Sequence, residues 1–414
     1  MNTNNFKTFK FTIFILMILL INSLCAFFHF FEENPAMIAD RNHKEFYFPL
    51  LSNQINFNNN LLQFDDIRIF QKGRVMKESE KEKLTKDDVN LEINAKLDAL
   101  SFGYKNWNLS YSLIGFADIE LLEKEYAKLI FYGNDQDSYK TTNGEGSGAA
   151  IFSKTSLTYA YHKPIFMKFL EDKKFDSEKL DKVIGFISEM PIYLGGRLNI
   201  YYSNFYAYVP LSEQEFGSSY LETYGNYKLR YYFSDKDTNK DFSLGIGMGL
   251  KAKLPQGWFY LHLDDLFASL SYNNLKAEYQ EGVFQDSLTH LEEGYELESE
   301  TVSEEYRINA KNIRLSPYFD IGYVHDFSKL LKVVARYKTT AYEFQDGFSL
   351  GINYDFFDYI PFQFTVGREE NFYFETKTGI KLSNFEYMLS STFYSGMFRY
   401  AKGIGFKMGI KYKF

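Results

Sequence analysis

Two aspartates stand side by side at positions 264 and 265, inside the stretch WFYLHLDDLFASLSY (258–272). Adjacent carboxylates are the usual material of general acid–base chemistry. Neighbouring residues on a strand point to opposite faces, however, so Asp264 and Asp265 are not expected to meet one substrate. The six histidines, His29, His43, His162, His262, His290 and His325, include no pair at metal-ligand spacing. No Gly-x-Ser-x-Gly elbow and no phosphate-cradling glycine loop occurs either. A third candidate is the run FQDSLTHLEEGYELESETVSEEYR (284–307), in which eight Asp and Glu residues precede Arg307. It reads either as a surface loop that binds divalent cations or as a solvated loop kept from aggregating by charge, and the second is the expectation. No catalytic, metal or cofactor residue is assigned, and the chain is not expected to be an enzyme.

The elements that would carry these residues show a period of 2. From Phe242 to Leu254, in DFSLGIGMGLKAKL, every even position is apolar, while the odd ones are Ser243, Gly245, Gly247, Gly249, Lys251 and Lys253. Similar runs cover 198–208, 333–341, 347–356, 372–382 and 386–397. Each is about ten residues long, the length a tilted strand needs to cross a hydrocarbon layer. The even set is therefore expected to face lipid, with Lys251 and Lys253 pointing inward or lying at the rim. Links such as DFSK (326–329), NN (273–274) and LSN (382–384) read as tight turns, and other gaps are long and charged. Short turns on one side and long loops on the other are expected of a membrane barrel. Two stretches have helical periodicity instead: 119–131, with Leu121, Leu122, Tyr126, Leu129 and Ile130 on one face, and the second half of 166–190. Both are expected as insertions inside the barrel or on its rim.

At the N-terminus Lys7 and Lys10 precede the unbroken apolar run 11–21 and then NSLCA (22–26), the order of a secretory signal peptide cleaved after Ala26. The run can also be extended to Phe31 and read as an uncleaved spanning helix. Cys25 is the one cysteine of the chain, so a mature protein would have none and no disulfide would hold it. Losing residues 1–26 removes two lysines and no acids, so the net charge goes from −8 to −10. That balance excludes a nucleic-acid binder. The 414 residues are 45% hydrophobic and 19% aromatic, with 43 Phe and 34 Tyr but only 2 Trp. A membrane barrel with aromatic girdles has such a surface, and so does a chain from an AT-rich genome.

The last residues, KMGIKYKF (407–414), keep the same alternation to the end. They resemble the assembly signal of bacterial outer-membrane barrels at Lys407, Gly409, Tyr412 and Phe414, which implies barrel-assembly machinery as a partner. The segment EENPAMIADRNHKEFYFPL (32–50) resembles the N-terminal segment of the long-chain fatty acid transporter-like (FadL-like) barrels, with Asn34, Pro35 and Ala36 as the matching hatch motif. LIFYGN (129–134), IYLGGRLNIYY (192–202) and WFYLHLDDLFASLSY (258–272) resemble a branch of that superfamily with no assigned function. The resemblance implies a hatch lying inside the barrel and a hydrophobic ligand.

The reading is thus an all-β fold: a closed antiparallel transmembrane β-barrel of about 14 strands with a few helical insertions. Residues 1–26 form the signal peptide, 27–88 a plug or hatch, and 89–414 the barrel in the bacterial cell outer membrane, surrounded by its lipid. The last strand, 403–414, is expected to close on 89–104. The expected work is binding or passage of a hydrophobic small molecule. The alternative is a non-transporting outer-membrane scaffold or shuttle barrel for secreted proteins, and a soluble secreted β-sandwich or barrel is a third.

Overall fold

The computed structural model describes residues 34–40, 44–47, 52–66, 76–132, 138–142, 146–168, 178–218, 222–287, 298–328, 330–339, 347–356, 359–368 and 372–413. The signal-peptide reading at 1–26 and Phe414 lie outside them. A 3-10 helix, Pro35–Asp40, comes first. Strands β1 (Lys44–Tyr47), β2 (Ser52–Asn59), β3 (Val89–Tyr104) and β4 (Trp107–Leu122) follow, with helix α1 (Glu78–Leu84) between β2 and β3. Next come helix α2 (Lys124–Tyr132), β5 (Ser138–Thr142), β6 (Gly148–Ala160), helix α3 (Glu178–Glu189) and β7 (Ile192–Ser218). β8 (Glu222–Phe233), β9 (Asn239–Lys240), β10 (Phe242–Leu254), β11 (Gly257–Leu266), β12 (Ser269–Ser287) and β13 (Glu298–Arg314) lead into the last stretch. That stretch is β14 (Tyr318–Asp326), β15 (Leu331–Thr339), β16 (Gly347–Phe356), β17 (Ile360–Arg368), β18 (Phe372–Leu382), β19 (Phe385–Tyr394) and β20 (Gly403–Lys413). Among the described residues no helix is long and apolar enough to cross a membrane.

The pairings close a ring. β1 and β2 share one lane, followed by β3, β4, β6, β7, β10, β11 and β14 through β20, which returns to the first lane. These are the fourteen lanes of a closed antiparallel barrel. Closure leaves the wall without an edge. Two expectations are corrected here. β20 does not meet 89–104: it pairs with β1 (Glu45↔Lys413) and β2 (Asn53↔Met408), which in turn pair with β3 (Lys44↔Tyr104, Ser52↔Asp98). Residues 44–47 and 52–59, assigned from sequence to the plug, are therefore wall.

The alternation sets the two faces of the wall. On β10, Phe242 is 72% exposed and Met248 50%, while Gly245, Gly247 and Gly249 are buried on the inner side. Lys251 and Lys253 share the inner parity and lie over the Tyr193 ring at 5.8 and 5.1 Å. Leu350 and Ile352 on β16 and Trp107 and Leu109 on β4 extend the outer apolar belt. Four tyrosines lie across the strand from a glycine: Tyr260 over Gly322 and Tyr373 over Gly367 within the ring, and Tyr224 over Gly217 and Tyr227 over Gly282 in the sheet that extends beyond it. A methyl group at any of the four glycines would collide with its tyrosine ring.

One end of the barrel has tight turns, at 105–106, 255–256 and Ser383–Asn384, where Lys105 and Ser383 take positive φ. The other end is built up. The second half of β7 leaves the ring to pair with β5 and β8, and β8 passes the sheet on to β12 and β13. Much of the acidic 284–307 run is therefore hairpin strand rather than loop. Asn273 and Asn274, read as a turn, lie within β12, where Asn274 takes φ 62° and its side chain bonds the Asp237 carbonyl at 3.1 Å. The root of β12 packs against the inner wall. Leu270, Tyr272 and Leu275 are fully buried with Phe152, Tyr201 and Tyr206, and each such side chain contributes about 1.5–3 kcal/mol.

Candidate functional site

Three arrangements bear on function, two on the inner side of the wall and one at the built-up end. The first is the seat of Asn34, Pro35 and Ala36. Asn34 Nδ2 donates to the carbonyls of Leu250 (3.4 Å) and Leu261 (3.1 Å) on the wall, and Asn34 Oδ1 accepts from the Ala36 amide at 2.9 Å. Pro35 fixes φ at the first position of the 3-10 turn, which the Met37 amide closes on the Asn34 carbonyl at 3.0 Å. Two bare glycines make room. A methyl group at Gly249 would stand 2.8 Å from the Ala36 nitrogen and 2.9 Å from Pro35 Cδ, and one at Gly195 would stand 2.5 Å from both the Ala36 nitrogen and the Pro35 oxygen. Ala36, Ile38 and Ala39 are buried with Ala160 and Tyr193 of the wall.

Next to this seat lies the aspartate pair. Asp265 takes φ 57°, and β11 carries an extra residue there against β10, between the pairs Ile246↔Leu266 and Met248↔Leu263. The bulge brings both carboxylates to one place, which corrects the expectation that they face opposite ways. Lys154 Nζ donates to Asp264 (3.1 Å) and Asp265 (2.5 Å), and Arg197 Nη1 donates to Asp264 at 2.8 Å. Asn199 Nδ2 adds a bond to Asp264 at 2.7 Å, and the Tyr201 hydroxyl donates to Asp265. Two cations thus balance two anions, and the network fixes the carboxylates in the wall. Further inward ion pairs repeat the pattern: Arg336 holds Asp320 through Nε (2.8 Å) and Nη2 (2.7 Å), Lys377 meets Glu375 at 3.0 Å, and Lys411 meets Glu386 at 3.3 Å. Among the described residues no group of three His, Cys, Asp or Glu is placed to hold a metal ion.

The third arrangement is a groove at the built-up end, between α2 and the upper parts of β7 and β8. The Tyr126 hydroxyl donates to Gln214 Oε1 at 2.6 Å and ties the helix to the sheet. One cavity of about 350 Å³ lies on one side of this tie, with Leu129, Phe216, Tyr227 and Leu229 in its walls. Another of about 410 Å³ lies on the other side, with Leu121, Leu122, Ile130 and Val209. The helix is shorter than the 119–131 periodicity suggests, because Ile119–Leu122 finish β4 as strand. The five apolar residues read as one helical face nevertheless line this groove from the two elements together. Glu120 and Glu123 also line the second cavity.

Of the terminal residues singled out from sequence, Lys407 pairs with Ser390 and Gln54, Gly409 with Met388, and Tyr412 with Phe385 and Phe46. They are members of the closing lanes, remote from the Asn34 seat in sequence and in pairing. Lys154, Arg197 and the β7–β8 side of the groove carried no sequence signal, since each is one polar or apolar residue within an alternating strand.

No family model matches the chain, and no curated protein does. Solved structures similar to it include the P. putida toluene transporter TodX, at 8% identity and a TM-score of 0.42, covering 92% of this chain and 91% of that one. A Pseudomonas aeruginosa FadL homologue is similar at 11% identity and 0.40, covering 92% and 93%. The Ralstonia pickettii toluene transporter TbuX is similar at 8% and 0.43, covering 92% of each chain.

Proposed function

We propose that the chain is an outer-membrane barrel of a bacterium that binds and passes a small hydrophobic molecule. The observation that carries this reading is the apolar groove between α2, β7 and β8, which opens at the built-up end of a barrel whose outer belt is apolar. A concave, mostly apolar site with a few convergent polar groups is the usual form of a small-molecule site. In this reading residues 1–26 direct export, the built-up end faces outside, and Asn34–Ala36 belong to a hatch seated on the inner wall. Lys407, Gly409, Tyr412 and Phe414 serve the assembly machinery, so deleting Phe414 should lower the fraction of chains that insert. The groove gathers the molecule, and the hatch seat lies on its way through the lumen.

The test uses the full mature chain in liposomes, with uptake of a hydrophobic fluorescent dye as the readout. Leu129→Arg should slow uptake while leaving insertion and heat-modifiable gel mobility unchanged. Equal uptake by the variant and the parent would sink the reading. One observation favours a second reading, a scaffold that transports nothing: the ion pairs of Lys154, Arg197, Asp320 and Arg336 fill the inner side of the wall with fixed polar contacts. Under that reading, liposomes with and without the protein take up the dye equally.

A further inference from the structure

We propose that the connection between β6 and β7, with helix α3 in it, lies on the lipid side of the wall and anchors the barrel in the head-group layer at its tight-turn end. This placement rests on the barrel standing in a membrane. The connection leaves the wall and returns to it at one spot. The Tyr161 amide donates to the Leu194 carbonyl at 2.8 Å, Ile165 and Ile192 exchange backbone bonds of 2.7 and 3.2 Å, and the Lys253 amide donates to the Pro191 carbonyl at 3.0 Å. Burial shows on which side the connection lies. In the β7–β10 ladder Leu194 pairs with Leu250 and Ile192 with Ala252, so all four have the parity of the outer belt. Leu194 is 41% exposed, as a lipid-facing side chain is, yet Ile192 and Ala252 fall to 5% and 4%. Some part of the chain therefore covers the outer wall at that level, and the connection is the segment rooted there, with α3 ending at Glu189, just before Ile192.

Within α3, Ser188 is buried, while Val183 is 54% exposed and Phe186 49%. At 3.6 residues per turn these two stand about 140° and 160° round the helix from Ser188, so an apolar side is turned away from the buried one. The outer belt runs into this side without a break. Leu157 and Tyr159 on β6 are exposed, Tyr161 continues their parity, and the exposed Ile165 and Phe166 follow. The Trp107 ring lies 4.6 Å from that of Tyr159, and such aromatic rings mark the head-group level of a membrane. Lys163 and Lys168 are exposed among them, with stems long enough to lie along apolar surface while the ammonium groups stay in water. A helix with an apolar side and a charged side in this place lies in the plane of the interface, its apolar side sunk about 5–10 Å.

The experiment is spin-label accessibility in liposomes of zwitterionic lipid. The mature chain has no cysteine of its own, so Val183→Cys, Phe186→Cys and Glu189→Cys can each carry one label. Met248→Cys on the outer belt serves as the lipid reference, and Asn384→Cys in an exposed turn as the water reference. Collisions with oxygen, which concentrates in lipid, are compared with collisions with a water-soluble nickel chelate. The oxygen-to-nickel ratios at 183 and 186 should lie between those of the two references, and the ratio at 189 should be lower than both. A ratio at 186 equal to that at 384 overturns the inference, because α3 then hangs in water or faces a wet lumen. Few collisions with either reagent overturn it as well, since the helix is then packed inside the closed barrel, and so do equal ratios at 183, 186 and 189. If the label at 248 also gives the water value, the membrane reading falls and the anchor with it.

Discussion

Gly249→Ala should unseat residues 34–40 without opening the barrel. The added methyl would press on Asn34, the Ala36 nitrogen at 2.8 Å and Pro35 Cδ at 2.9 Å, its three nearest neighbours and all atoms of the seated segment. The seat is held by two bonds from Asn34 Nδ2, each contributing about 1 kcal/mol, and by burial of Ile38, about 1.5–3 kcal/mol. The sum is about 4 kcal/mol, a factor of about 1,000 in the seated-to-free ratio. Hydrogen exchange read on a peptide covering 34–40 should therefore show the Met37 amide losing up to about 1,000-fold protection. A peptide from β10 serves as the wall control and should hold its protection. Gly247→Ala is the matched comparison, because the three atoms nearest its methyl belong to Asp264 and Leu263 and none to 34–36. Unchanged protection of 34–40 in Gly249→Ala would refute the reasoning. An equal loss in Gly247→Ala would do the same, since the effect would then belong to strand β10 and not to the seat.

Other outcomes test other parts of the wall. Met248→Lys on the outer belt should cost roughly 2–4 kcal/mol near the bilayer midplane, read as a lower urea midpoint for folding into liposomes; no change would mean that this face does not meet lipid. Arg336→Met leaves the buried Asp320 without its bidentate partner and should cost about 3–5 kcal/mol, whereas adding Asp320→Leu should recover most of the loss; the unfolding midpoints of the two variants decide it. In the built-up sheet, hydrogen bonds from Arg307 hold the Asp235 carboxyl well below the ordinary carboxylate range, with burial opposing. A depressed folded pKa means that its contribution is complete above the unfolded value of about 3.9 and fades as pH falls below it. Exchange protection around 233–238 should therefore be flat from pH 7 to 5 and drop below pH 4, and a drop already at pH 6 would point to another group.

Much of the wall could be read from alternation, because a strand with one face in lipid and one in the lumen must repeat every second residue. Phe242–Leu254 and Phe372–Leu382 have the limits that the pattern gives. The first lane escaped for the converse reason. In SNQINFNN only Ile55 and Phe57 are apolar, and Gln54 and Asn56 turn inward, so eight residues of β2 look like loop. The aspartate pair was misjudged because strict alternation assumes an extended backbone, and the positive φ of Asp265 breaks that assumption at one residue. Turn-forming Asn273–Asn274 was overruled by ladders on both sides of β12, which supply more hydrogen bonds than an isolated turn could. The groove was half legible. Its α2 side showed as a run of apolar residues, but Phe216, Tyr227 and Leu229 reach it only because β7 outgrows the barrel.

The tyrosines laid over Gly217, Gly282, Gly322 and Gly367 bear on how the wall and the sheet that extends from it find their alignment. A strand added to a growing barrel can slip by two residues and keep every side chain on the correct face, so the lipid–lumen pattern alone does not detect the error. Each tyrosine does. A two-residue slip would set Tyr260 against Asp320 or Val324 and Tyr373 against Thr365, where a side chain occupies the space the ring needs. Two such checks sit in the ring, at β11–β14 and β17–β18, and two in the extended sheet, at β7–β8 and β8–β12, so each of these joints carries its own lock, cut for a single key. Exchanging the members of one pair, as in Tyr260→Gly with Gly322→Tyr, would keep the total volume and reverse the lock, and the two strands should still meet in the same alignment.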